Sequence, residues 1–200
     1  MLPRTLIFDL SEVLISGLIG IEPELSTVLG VSSEAVRTAF RDHGLDEWLR
    51  GDITEDAYLE YVIAHAKWRV VPATIKGLIR STLQRRIPGM EDLVVRLSRS
   101  YELVLFSDHA REYRDYIMMT HPFLHCFNIR VFSFELRKTK SDISSFTQVL
   151  GIIERQPCEC LYIDDSKTNV EGASVVGIPS VLFVSCATLV KSLAAMGLGL

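Results

Sequence analysis

Three apolar runs in this 200-residue chain end in oxygen-bearing side chains. TLIF runs into Asp9, LVLF into Ser107 and Asp108, and LYI into Asp164 and Asp165. A single carboxylate in such a place is commonly a helix cap, but three sets in one chain are hard to explain by capping. Converging carboxylates repel one another unless a cation sits between them. Oxygen-only ligands favour Mg²⁺, which takes one or two carboxylates and leaves room for substrate oxygens and water. Such an ion neutralises a phosphate while one of the carboxylates is left free to attack phosphorus. A hydroxyl and a lysine are then needed for the remaining phosphate oxygens, and Ser107 supplies the hydroxyl.

The elements that must position these groups are legible from the same runs. TLIFD (5–9), ELVLFSD (102–108), CLYIDD (160–165) and PSVLFV (179–184) read as buried strands separated by helical stretches. Strands apolar on both faces belong to a parallel sheet covered by helices, and polar groups gather at the carboxyl ends of such strands. The fold class is therefore α/β. Residues 16–86 contain no such strand and carry helical periodicity, with start signals at Ser32 and at Asp52 or Thr54 and glycine punctuation at Gly30, Gly44 and Gly51. We expect an α/β core of 1–15 and 87–200 and a helical insert of 16–86, ended by Ile87-Pro88-Gly89.

The order and spacing of these parts resemble the haloacid dehalogenase-like hydrolase superfamily. LIFDLSEVL matches its first motif at Asp9 and Val13, and LVLFS matches the second at Ser107. KSDISSF matches the third through Lys140, Asp142 and Phe146; Ser133, seven residues upstream, favours Lys140 over Lys138. LYIDDSKTNVEGASVVGIPSVLF, the most specific match, carries the fourth. The resemblance implies a Rossmann-like core with a helical cap after strand 1. It also implies a Mg²⁺-dependent phosphatase acting through an aspartyl-phosphate on Asp9. Ser107, Asp108 and Lys140 would bind phosphate; Asp9, the Ser11 carbonyl, Asp165 and Asp164 would form the metal site, with Asp165 the favoured direct ligand. The segment WLRGDITEDAYLEYV is similar to the cap of the subgroup with sugar-phosphate phosphatases and the epoxide hydrolase phosphatase domain.

One position departs from the pattern. Ser11 stands where the family has the aspartate that protonates the leaving alcohol, a role contributing typically 10²–10⁴-fold. The expectations are a slow phosphatase using Ser11 and water, an acid borrowed from Glu12, Asp108 or His109, or a catalytically weak relative kept for binding or regulation. A 2-haloacid dehalogenase also lacks that aspartate, but the Asp164-Asp165 pair demands a cation that dehalogenation does not need. A phospho-receiver domain would place its acidic pair after strand 1 instead of last.

Composition narrows the partners. A net charge of −4 without a basic cluster argues against nucleic acid. The longest apolar stretch, near the C-terminus, is broken by Gly177 and Pro179 and is short for a membrane span. Four cysteines without a CxxC pair read as reduced thiols of a cytoplasmic protein. The expected partner is a small phosphorylated metabolite, and the expected state a monomer or homodimer. His43, His65, His121 and His125 lack ligand spacing with cysteine or carboxylate partners and read as ordinary groups.

Overall fold

The computed structural model describes residues 2–17, 21–41 and 44–199; His43 lies outside them. Five parallel strands form one sheet in the order β3-β2-β1-β4-β5: β1 (Thr5–Phe8), β2 (Glu102–Ser107), β3 (Ile129–Phe132), β4 (Cys160–Asp164) and β5 (Ser180–Leu182). Leu6, Phe8, Leu103, Leu105, Leu161 and Ile163 pack into one hydrophobic layer. Ile7, Val104, Phe106, Cys160 and Tyr162 pack into the other. Alternate residues of one strand thus serve opposite faces, which is why these strands are apolar throughout.

Helices close both faces. α6 (Met90–Leu97), α7 (Arg111–Thr120) and α11 (Cys186–Ala195) contribute to the first layer, while α9 (Ser144–Ile153) and α10 (Lys167–Val175) cover the second. A short α8 (Ser133–Leu136) follows β3 directly. The strand β3 escaped the sequence reading because it has only four residues, exposed Arg130 among them, and forms the edge of the sheet.

Between β1 and α6 the described residues form five helices: α1 (Glu22–Leu29), α2 (Ser33–Arg41), α3 (Leu45–Leu49), α4 (Glu55–Ala66) and α5 (Pro72–Leu83). Ser32 Oγ accepts from Ala35 N at 3.1 Å and Thr54 Oγ1 from Ala57 N at 3.2 Å. Each hydroxyl satisfies one amide left open at a helix start, so Thr54, not Asp52, caps α4. The two chain crossings into this helical segment lie side by side, Ser16 N donating to Arg85 O at 2.8 Å and Ile87 N to Leu14 O at 3.0 Å.

Several contacts tie the helices to the α/β core. Glu55, 2% exposed, accepts from Tyr113 Oη of α7 and pairs with Arg80 at 3.2 Å and Lys76 at 3.3 Å. Ser133 Oγ donates to Leu49 O at 2.6 Å, and Gly51, at φ +72°, lies so close to Phe134 that a Cβ there would come within 3.1 Å of it.

Candidate active site

The register of the sheet assembles the site. Phe8 pairs with Leu105 on one side and Ile163 on the other, so Asp9 leaves β1 beside the end of β4, and Asp9 N donates to Ile163 O at 2.9 Å. This crevice at the carboxyl ends of the central strands is where open parallel sheets bind ligands. Ser107 ends the neighbouring β2. Lys140 arrives from the loop between α8 and α9.

Asp9, Asp164 and Asp165 each present an oxygen within 4.8 Å of the others, a set that could hold a metal ion. Lys140 Nζ lies 2.5 Å from Asp9 Oδ1 and 2.9 Å from Asp164 Oδ2, with all three side chains buried. Burial pushes the Asp9 carboxyl upward, against the pull of the Lys140 charge. Asp164 is buried too, yet Lys140 and its hydrogen-bond donors outweigh that and hold it below the ordinary carboxylate value.

The acidic pair divides its work. Asp164 Oδ1 accepts from Ser166 N at 2.7 Å, Asn169 Nδ2 lies 3.2 and 3.1 Å from its two oxygens, and Oδ2 also accepts from Tyr162 Oη. With Lys140 these donors occupy the lone-pair sites of the carboxylate. Asp165 has no comparable set of donors, is half-buried, and is pushed upward by burial and by the charge of Asp164. Lys138 is elsewhere, 2.5 Å from Ser144 Oγ and 3.5 Å from Asp142.

Ser107 is 1% exposed and its hydroxyl has no hydrogen-bond partner. Such an orphan at the floor of a polar crevice is a donor waiting for an oxygen. Asp108, next in the chain, has its side chain turned to the lysine loop. Its two carboxylate oxygens take the backbone N–H of Lys140 at 3.2 and 3.0 Å, and burial pushes its carboxyl up to about 6. That contact ties the Asp108 side chain to the lysine loop.

Ser11 lies two residues beyond Asp9, and its Oγ is 2.9 Å from His109 Nε2. The imidazole is buried and held near pKa 4 by desolvation and by the nearby Lys140 charge, so it is neutral at pH 7. Gly17 seals the other side: a Cβ there would stand 2.6 Å from Ser11 Cβ. Of the three candidates for a borrowed acid, His109 alone touches Ser11. Glu12 Oε1 is turned to Gly17 N at 2.7 Å and Asp108 to the lysine loop. Tyr162 is the contributor that sequence reasoning missed. Its signal was a hydroxyl in an otherwise apolar strand, two residues before Asp164 and so on the same face.

His121 is buried with Nε2 2.7 Å from Leu83 O. Arg85 pairs with Glu24 at 2.8 Å and Arg86 with Glu91. All four cysteines are free. No helix among the described residues is long and apolar enough to cross a membrane.

Residues 24–183 match the family model described as haloacid dehalogenase-like hydrolase. Over 61 residues the chain is 34% identical to flavin mononucleotide hydrolase 1 of Arabidopsis thaliana; the stretch is 30% of this chain and 25% of that protein, about a quarter of its length. A HAD family enzyme of Bacteroides thetaiotaomicron, in complex with magnesium and inorganic phosphate, superposes with TM-score 0.75 at 19% identity, over 92% of this chain and 96% of that one. A predicted HAD-like family hydrolase of Porphyromonas gingivalis gives 0.78 at 18%, over 99% of each. L-2-haloacid dehalogenase of Xanthobacter autotrophicus gives 0.68 at 15%, over 99% and 85%. At these identities the structural likeness is one of fold.

Proposed function

The chain belongs to the haloacid dehalogenase-like hydrolase family, and on that premise we propose that it hydrolyses a small phosphate monoester with Mg²⁺ through an aspartyl-phosphate on Asp9. The observation that carries the reading is the meeting of three carboxylates within 4.8 Å beside a buried lysine and an unpartnered buried hydroxyl. That donor set suits Mg²⁺: it is all oxygen, it is anionic, and Asp9 and Asp165 are both raised by burial, a cost that a cation relieves. Asp9, the Ser11 carbonyl and Asp165 would hold the ion, which when bound neutralises phosphate charge and polarises the phosphoryl group.

The chain's own groups then do the following. Ser107 Oγ and Lys140 Nζ bind non-metal phosphoryl oxygens. Lys140, fixed on Asp9 Oδ1, orients the nucleophilic carboxylate. Its oxygen attacks phosphorus and the bond from phosphorus to the alcohol oxygen breaks. The departing alkoxide takes a proton from water or from the Ser11 hydroxyl, which His109 backs at 2.9 Å. Water then attacks the phosphorus of the acyl phosphate, the bond from phosphorus to the Asp9 oxygen breaks, and the proton shed by that water returns to Ser11 where Ser11 gave the first, so that phosphate leaves and Asp9 is restored.

The helical segment 16–86 acts as a cap that screens substrates, hinged where residues 14–16 and 85–87 run side by side. Flavin mononucleotide, the substrate named for the Arabidopsis relative, is itself a phosphate monoester and the first physiological candidate to assay.

The test is Mg²⁺-dependent hydrolysis of an aryl phosphate with a good leaving group by wild type and Asp9→Asn. Turnover lost in the variant is expected; a wild type with neither turnover nor Mg²⁺ binding by titration overturns the reading. A second reading, a relative kept for binding, is favoured by Ser11 alone, and it predicts phosphate and Mg²⁺ binding without turnover. Chloroacetate turnover without metal would instead indicate a dehalogenase.

A further inference from the structure

We propose that Tyr162 is a positioning residue of this site, its hydroxyl acting through Asp164 to hold the Lys140 ammonium against Asp9. The ring of Tyr162 is fully buried, edge-on to Phe146 with centroids 5.3 Å apart, and Phe146 in turn meets Phe106 at 5.4 Å. A phenylalanine would fill that space equally well, so packing does not account for the hydroxyl. What the hydroxyl does is donate to Asp164 Oδ2, the same oxygen that lies 2.9 Å from Lys140 Nζ.

Lys140 has few ways to be held. Its Nζ lies 5.2 Å from the Phe106 ring centroid and 5.6 Å from that of Tyr162, so aromatic surface borders the ammonium and offers no hydrogen-bond acceptor of lone-pair type. Two of its three N–H bonds go to Asp9 Oδ1 and Asp164 Oδ2. The third remains for a phosphoryl oxygen, which rests on the proposed phosphate site. The direction of that third bond is set by the other two, and therefore by where Asp164 Oδ2 stands.

Oδ2 is fixed by its donors. Ser166 N and Asn169 Nδ2 hold the carboxylate from one side, and Tyr162 reaches Oδ2 from within its own strand. Without the phenol, Oδ2 keeps Lys140 and the Asn169 amide at 3.1 Å, and the carboxylate gains a free lone pair facing the Asp9 and Asp165 oxygens. It can then turn toward a cation placed among them, and Lys140 follows or loses its partner. A single oxygen atom on β4 thus sets the geometry of a lysine carried by a different loop.

The test uses Tyr162→Phe in the full chain, with two readouts. In protein labelled with ¹⁵N-lysine, free of metal and substrate, the ammonium signal of Lys140, assigned by its loss in Lys140→Met, should shift and exchange faster with water; an unchanged signal overturns the proposal. Inorganic phosphate binding with Mg²⁺, measured by calorimetry, should weaken about tenfold, the scale of one charge-assisted hydrogen bond. That loss should vanish when Lys140→Met is the background; an equal loss in both backgrounds overturns the route through Lys140. A wild type that binds no phosphate while its Lys140 signal still responds to Tyr162→Phe counts against the phosphate site and for the positioning role.

Discussion

Ser11 and His109 share a hydrogen bond of 2.9 Å at the position where family members carry a catalytic carboxylic acid. The pair replaces an acid with a hydroxyl backed by a neutral imidazole, since burial and Lys140 hold the ring near pKa 4. Proton delivery to the leaving alcohol is consequently the weak step of the proposed cycle.

Restoring the acid should therefore matter most where the leaving group is poor. Ser11→Asp is expected to raise turnover of alkyl phosphates by roughly 10²-fold while leaving aryl phosphates within a few-fold. The ratio of the two rates is the measurement. Gly17, whose Cβ would press on Ser11, leaves little room, so the new carboxylate must enter from the His109 side. An unchanged ratio would place proton transfer with His109 or water.

Acid should destabilise the fold through His109. Its folded pKa of about 4 lies below the ordinary 6.5, so between those values the unfolded chain binds the proton more readily. That part of the stability is complete above pH 6.5 and is lost as pH falls toward 4, by at most about 3 kcal/mol. Asp108, raised to about 6, and Asp9 act in the opposite sense in this window. The informative quantity is thus the difference in urea midpoint between wild type and His109→Gln from pH 7 to 4; parallel curves would refute it.

The two acidic neighbours at the end of β4 should fail differently. Mg²⁺ at 100 times its dissociation constant is expected to raise the stability of the wild type by about 2.7 kcal/mol. Asp165→Asn should abolish that gain at little cost to the metal-free fold. Asp164→Asn should destabilise the metal-free protein, because Lys140 and the donors around it lose a buried anion. Thermal melts with Mg²⁺ and with chelator separate these outcomes, and a Mg²⁺ response that survives Asp165→Asn would reassign the ligand.

Ser107→Ala should separate binding from stability. The hydroxyl is buried without a partner, so removing it costs the metal-free fold nothing beyond about 0.5 kcal/mol and relieves an unmet donor. Phosphate affinity with Mg²⁺ should fall about tenfold for the lost hydrogen bond. A variant that is clearly less stable, with phosphate affinity intact, would make the serine a structural residue.

The sequence by itself determined the sheet and the residues at its carboxyl ends, because strands buried on both faces leave continuous apolar runs and their ends are marked by the first polar groups. Asp9, Ser107 and the Asp164-Asp165 pair were legible for that reason, and Lys140 through the resemblance of KSDISSF to the family's third motif. β3 was not, since a four-residue edge strand carrying Arg130 has no continuous run to show. Tertiary structure decided everything that depends on which side chain faces which across elements far apart in the chain. Asp108 turns to the Lys140 backbone, Ser11 meets a histidine 98 residues away, and Tyr162 shares Asp164 with a lysine from another loop. Spacing along one strand shows what a residue can offer, whereas its partner is fixed only when the sheet sets the neighbouring strand ends side by side.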